Sequence, residues 1–123
     1  MTIYALSSGP GMAGVAVVRV SGKLTSKVVK LITNDDLPTP RVATLRKMNN
    51  INTNELIDEG LLIWFPGPQS YTGEDLAEFH VHGSRAVVEA LHSSISQVEN
   101  CRLAEPGEFT KIAFQNGKIN LLK

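Results

Sequence analysis

The chain has 123 residues, 42% of them hydrophobic, and its twelve Lys and Arg are cancelled by twelve Asp and Glu, the size and balance of a single domain that buries about two-thirds of its unfolded surface without covalent staples. No window gathers the basic cluster that a nucleic-acid or membrane face needs, so direct RNA binding is not expected. Cys101 is the only cysteine, which excludes an internal disulfide framework and a Cys-rich zinc site. With no basic leader and no apolar run near 18 residues, the expectation is a soluble, cytoplasmic chain without a membrane partner.

In chain order, the apolar run Ile3–Leu6 reads as a strand and leads into "GPGMAG", Gly9 to Gly14, which spells G-x-G-x-x-G. That pattern holds a dinucleotide only when its glycines close a strand-to-helix turn, so that free N–H groups meet the pyrophosphate. The next segment is "VAVVRV", residues 15–20, whose β-branched valines suit a strand and cost entropy in a helix. Asp35 and Asp36 stand near the spacing of a ribose-binding acid, but without the turn that spacing carries no weight. The glycines are read as a strand-to-strand connection whose bare backbone admits a close approach.

"LTSKVVKLI" sets Leu24, Val28, Leu31 and Ile32 at helical spacing, with Ser21 as N-cap and Pro38 beyond the end. "RVATLRKM" and "IDEGLLIWF" flank a polar loop, Asn49 to Glu55, and read as two paired strands, the second stopped by Pro66-Gly67-Pro68. In "SYTGED", residues 70–75, Gly73 sets a turn and the acids precede the next strand. That strand, "LAEFHVH", alternates, with Ala77, Phe79 and Val81 on one face and Glu78, His80 and His82 on the other. "SRAVVEALHSSISQV" offers Val87, Val88, Leu91, Ile95 and Val98 to a second helix capped by Ser84. After a short "CRLA" strand, a brief helix begins near Glu108 and closes at Gly117 in the left-handed cap position. The order β-β-α-β-β-β-α-β-α predicts an α+β domain over residues 1–123, a mixed sheet with about three helices packed against it.

Two imidazoles and a carboxylate on one strand face raise a metal site at Glu78, His80 and His82, set against a polar surface or ligand-lining face. No further histidine or acid is placed to complete the shell, and no metal is assigned. Serines and acids lack a nucleophile elbow or a triad order, so no catalytic residue is assigned either. Glu78 interrupts an apolar strand, where a buried acid is costly unless donors meet it. A ligand edge with two coplanar N–H groups would do so bidentately, and the other reading is a half-exposed acid on a polar face. Arg19, the one charge in "VAVVRV", needs a protein acid or a ligand carboxylate.

Three blocks, "GPGMAGVAVVRVSG", "GLLIWFPGPQSYTGEDLAEFHVHG" and "AEPGEFTKIAFQNGKINL", span nearly the whole chain. They resemble, in order and spacing, the N-terminal domain of the MnmE or TrmE family of tRNA modification GTPases. The resemblance implies a domain that forms homodimers and binds a tetrahydrofolate, characteristically 5-formyl-tetrahydrofolate, with a fold related to the tetrahydrofolate-binding domain of glycine-cleavage T proteins. It carries the family's ligand residues onto Arg19, Glu78 and Lys118. Glu78 would face the pterin's amino-pyrimidinone edge, and Arg19 and Lys118 would face carbonyl or carboxylate oxygens.

The glycine loop would then serve the folate domain and not NAD. The resemblance also implies an MnmG-type flavoprotein partner and a role in modifying the wobble uridine of tRNA, with RNA held through the full assembly. GTP, magnesium and potassium would belong to a GTPase module, and no G-x-x-x-x-G-K-[ST] occurs in this chain, which is therefore expected to be an excised or truncated N-terminal part. Met12, Ser84, Ile112 and Asn120 depart from the family pattern, and Cys101 does not match its C-terminal cysteine motif. The alternatives are a free-standing tetrahydrofolate-dependent enzyme of the aminomethyl-transfer kind and a purely structural dimerisation domain.

Overall fold

Alternation in the two central strands sets the architecture, because β-branched and aromatic residues at every second position need one covered face. The elements are β1 (Thr2–Leu6), β2 (Val15–Ser21), α1 (Thr25–Thr33), β3 (Thr44–Asn49), β4 (Leu56–Phe65), β5 (Leu76–His82), α2 (Arg85–Ile95), β6 (Cys101–Leu103) and α3 (Glu108–Gln115). They follow the predicted order. The structure, a computed structural model, describes residues 1–7 and 14–119, so the glycine fingerprint at 9–13, Met12 and Asn120 lie outside the described residues.

The strands form a six-stranded sheet in the order β3-β4-β5-β2-β1-β6, antiparallel except for the parallel pair β1 and β6. This is the mixed sheet of an α+β fold. Val18 pairs with Phe79 and Phe79 with Leu62, while Val20 and Trp64 both flank Ala77. All of these are buried beneath Val28, Val29 and Ile32 of α1 and Val88, Leu91 and Ile95 of α2. Each such side chain contributes about 1.5–3 kcal/mol on leaving water, so a single apolar layer between sheet and helices holds the fold. Among the described residues no helix is long and apolar enough to cross a membrane.

Two local expectations are corrected. Ser21 does not cap α1: β2 continues through it, paired with Leu76, and the buried hydroxyl is bonded to Thr72 and Glu74. Gly22 then turns the chain at φ 137°, where a Cβ would come within 2.7 Å of the Thr2 backbone. The helix starts from Leu24 without a side-chain cap, although Thr2 Oγ1 accepts the Leu24 N–H at 2.8 Å. The buried stripe of α1 runs through Thr25, Val28, Val29, Ile32 and Thr33, and Leu31, expected on that stripe, is 40% exposed. The hairpin strand predicted from Arg41 begins at Thr44, since Arg41 itself adopts a left-handed φ of 64° that ends extended pairing. Ser84, by contrast, caps α2 as expected, accepting the Val87 N–H.

Gly60 marks the tightest approach within the sheet. A Cβ there would sit 2.1 Å from the carbonyl oxygen of His80 on the neighbouring strand, and neither atom belongs to a flexible side-chain end. Gly60→Ala is expected to destabilise the domain by about 1–3 kcal/mol, read as a lower urea midpoint with unchanged slope. A midpoint equal to the parent's would show that β4 and β5 separate there without cost.

Candidate functional site

Pairing of β2 with β5 places Arg19 directly opposite Glu78, on the face turned away from α1 and α2. Arg19 donates to Glu78 Oε2 from Nη2 at 2.9 Å and from Nε at 3.3 Å, and His80 Nε2 donates to Oε1 at 3.0 Å. The three side chains are only 17–27% exposed. Burial pushes the Glu78 carboxyl up, but the hydrogen bonds from Arg19 and His80, reinforced by their charge, outweigh it and hold the group below its ordinary value. Glu78 is therefore an ionised, oriented acceptor at neutral pH.

The loop after β4 covers this cluster from one side. The Arg19 guanidinium carbon lies 5.2 Å from the ring centroid of Tyr71 and 5.7 Å from that of Phe109, within cation–π range. The polar residues of "SYTGED" hold Tyr71 in place. Ser70 Oγ accepts the Gly73 N–H at 3.0 Å, and Asp75 Oδ1 accepts the Gly67 N–H at 2.8 Å. Thr72 is fully buried and shares a 2.7 Å bond with Ser21 Oγ, which itself donates to Glu74 Oε1 at 3.0 Å. A hydroxyl has one proton, so Ser21 gives its own to the carboxylate and receives that of Thr72. Gly73 provides the φ of 81° that lets the loop reverse against Asn116.

α3 completes the enclosure. Asn116 Nδ2 donates to the Thr72 carbonyl at 2.8 Å, and Gly117, at φ 70°, ends the helix. Its N–H bonds to Phe114 O at 3.0 Å, and the Lys118 N–H bonds to Ala113 O at 2.8 Å, the reciprocal pair of a Schellman cap. This cap carries Lys118 to the wall of an open cleft of about 630 Å³, which Arg41, Phe65, Gln69, Ser70 and Tyr71 also line. At the other end of α3, Arg102 of β6 clamps Glu108 with two hydrogen bonds. Glu108 also accepts the Glu105 N–H at 2.9 Å.

Arg19 and Glu78 thus meet, with a protein acid as the partner of Arg19, and Lys118 stands on the adjoining cleft with Tyr71 as the shared wall. His80, Tyr71, Phe109 and Arg41 were not among the expected ligand residues. The same-face position of His80 was legible from alternation, whereas the two rings and Arg41 reach the site through loop and helix placement. The metal trio does not assemble: His80 turns to Glu78, while the exposed His82 gives its backbone N–H and its Nδ1 to Asp58 at 2.8–3.0 Å. Among the described residues no three of His, Cys, Asp and Glu are placed to hold a metal ion. Cys101 is half-buried, and its burial pushes the thiol up, more than Lys27 and the N-terminus pull it down, the wrong direction for a nucleophile. Ile112 is a half-buried residue of α3.

The sequence matches over residues 2–118 the family described as "GTP-binding protein TrmE N-terminus". It is 75% identical over 123 residues to a tRNA modification GTPase MnmE of Pelagibacter ubique (strain HTCC1062), covering all of this chain and 28% of that protein. To the MnmE of Phenylobacterium zucineum (strain HLK1) it is 53% identical over 120 residues, 98% of this chain and 26% of that protein. To a mitochondrial tRNA modification GTPase of Dictyostelium discoideum it is 50% identical over 126 residues, 98% of this chain and 25% of that protein. The chain spans about a quarter of the length of these curated relatives.

The clamp on α3 has a definite pH signature. Hydrogen bonds from Arg102, then the Glu105 N–H, bring the Glu108 carboxyl down to about 2 from 4.5. A depressed carboxyl contributes stability that is fully present above its unfolded value and is lost as pH falls through its folded one. The contribution of Glu108 should therefore be intact above about pH 4.5 and fade towards pH 2. Carboxyl NMR titration should find Glu108 at about 2, and Arg102→Gln should return it towards 4.5; an unmoved titration in the variant would show that Arg102 is not the cause.

Proposed function

The chain belongs to the family of TrmE N-terminal domains, and from that membership together with the Arg19–Glu78–His80 cluster we propose that it binds a tetrahydrofolate of the 5-formyl type. In this reading it also joins two copies of a GTPase that modifies the wobble uridine of tRNA. That GTPase acts in the cytoplasm with an MnmG-type flavoprotein, and tRNA is held by the full assembly. The observation that carries the ligand reading is the state of Glu78, an ionised carboxylate fixed on a sheet face that neither α1 nor α2 covers. A pterin presents two coplanar N–H donors on its amino-pyrimidinone edge. Each carboxylate oxygen has two lone-pair positions, so Arg19 and His80 can orient Glu78 while it still accepts from a ligand. Guanidinium carries five N–H donors, and those of Arg19 not spent on Glu78 can serve a ligand oxygen.

Apolar exposure beside the cluster supports the dimer. Leu45 pairs with Leu61, Leu61 with His80, and Val15 with His82, so the three apolar residues share the uncovered face with the histidines. Leu45 is 60% exposed, Val15 56% and Leu61 41%. Exposed apolar residues gathered on one face suit an interaction surface, and a formal charge of zero does not oppose self-association. One observation favours a purely structural role instead: both oxygens of Glu78 already have internal donors.

Glu78→Gln separates the two readings. The amide keeps the volume but offers a donor where the ligand needs an acceptor, and breaking such a desolvated polar pair costs about 2–5 kcal/mol. Calorimetric titration of 5-formyl-tetrahydrofolate should show the dissociation constant rising at least about thirtyfold, with circular dichroism confirming the fold. A folded variant that binds within about threefold of the parent removes Glu78 from the site, and a parent that does not bind at millimolar ligand leaves the structural role.

A further inference from the structure

Apolar packing alone does not fix the position of α3. Ala113 is its one buried residue, and so thin an apolar contact leaves a helix to be located by its polar ties. Such ties run along it: Arg102 to Glu108 at the start, the Tyr71 hydroxyl with Thr110 Oγ1 at 3.1 Å in the middle, and Asn116 Nδ2 to the Thr72 carbonyl at 2.8 Å at the end. The tie through Tyr71 is exposed and competes with water. The tie through Asn116 ends on a rigid anchor, since Thr72 is fully buried and its hydroxyl is bonded to Ser21, which stands two residues beyond Arg19 on the same face of β2. Asn116 is itself fixed at the helix end, its N–H bonded to Ile112 O at 3.0 Å. One amide thus connects the strand that carries Arg19 to the turn that carries Lys118. Gly73 lies against both sides of that turn: a Cβ there would stand 3.1 Å from Asn116 Cβ and 3.4 Å from Lys118 Cγ.

We propose that Asn116 is a positioning residue of the ligand site, holding the turn that carries Lys118 at a fixed distance from the Arg19–Glu78 pair. The inference rests on the folate reading above, in which the pterin meets Glu78 and Lys118 meets ligand oxygens. Asn116 is not among the residues that wall the cleft, whereas Lys118 is, so Asn116 acts through Lys118 and not beside it. The residue type follows from the anchor. Thr72 presents a carbonyl, which needs a donor; Asp would set a carboxylate against it, and Gln would carry the donor one methylene too far. A ligand that spans two elements binds best when their separation is settled beforehand, because ordering them on binding costs affinity.

The test is a double-mutant cycle in the 123-residue chain, read as the dissociation constant of 5-formyl-tetrahydrofolate by calorimetric titration. Asn116→Ala should weaken binding about fivefold, the value of one hydrogen bond. Lys118→Met keeps the aliphatic stem and removes the charge, and should weaken binding about tenfold. In that background Asn116→Ala should cost less than about twofold, because the group it positions is gone. A general loosening of the fold would instead weaken both backgrounds alike. Asn116→Leu, which keeps the branched shape and loses the donor, repeats the cycle, with circular dichroism confirming the fold of each variant. Losses that multiply, or folded Asn116 variants that bind as the parent does, overturn this inference and leave the folate reading standing. Unchanged affinity in Lys118→Met removes Lys118 from the site and overturns the positioning role too. A parent that does not bind at millimolar ligand overturns the folate reading, and this inference with it.

Discussion

The register between β2 and β5 is the constraint on which the rest of the molecule depends. Because a strand alternates with period two, the pairing that sets Val18 against Phe79 also sets Arg19 against Glu78. A slip of one residue would turn one strand over relative to the other, either burying Arg19 under α1 and α2 and exposing Val18 and Val20, or burying Glu78 and exposing Phe79, all three of which are now at 0% relative exposure. An ion pair is costly inside an apolar layer, since desolvation of two charges offsets their attraction unless every lone pair finds a donor. On the opposite face the same pair is half-covered, hydrogen-bonded at both oxygens and flanked by aromatic rings. The apolar pattern thus chooses the register, and the register delivers the charges to the face where they are tolerated.

That face is shaped by a short loop and a short helix acting together. Ser21 at the end of β2 bonds to Thr72 and Glu74, and the Thr72 carbonyl in turn accepts from Asn116 beyond α3. Buried polar groups so fully satisfied fix a geometry instead of weakening it. Moving any of them would displace Tyr71, which both contacts Arg19 and walls the cleft. The ion pair and the cleft are therefore mechanically one site, though they lie on different elements.

Local periodicity was enough to place Glu78 and His80 on one face and to mark Ser84, Glu108 and Gly117 as helix ends, because each depends on neighbours within one turn or one pleat. Pairing partners are non-local, so nothing in "VAVVRV" states that Arg19 will face Glu78. Ser21 shows the competing case: the hydroxyl that suits an N-cap also suits a buried hydrogen bond, and strand pairing through Leu76 decided between them. Arg41 gave no signal at all, since a left-handed arginine is imposed by its contacts and not favoured by its type. His82 left the metal reading for the same non-local reason, its partner Asp58 coming from β4.

The two oxygens of the Glu78 carboxylate are held unequally. Oε2 is met by two donors of Arg19, a permanent cation stacked against Tyr71 and Phe109, while Oε1 is met by the single His80 nitrogen. In the proposed complex one acceptor position is open at Oε1 and none at Oε2 while both Arg19 bonds stand, so a ligand with two N–H groups approaches from the His80 side and displaces the longer Nε bond of 3.3 Å, leaving the Nη2 bond of 2.9 Å in place. Arg19 then does two things at once: it keeps Glu78 ionised against the burial that would protonate it, and it fixes the plane of the carboxylate. Orientation settled before binding costs the ligand less ordering entropy, which is how a half-buried internal ion pair can serve recognition instead of competing with it.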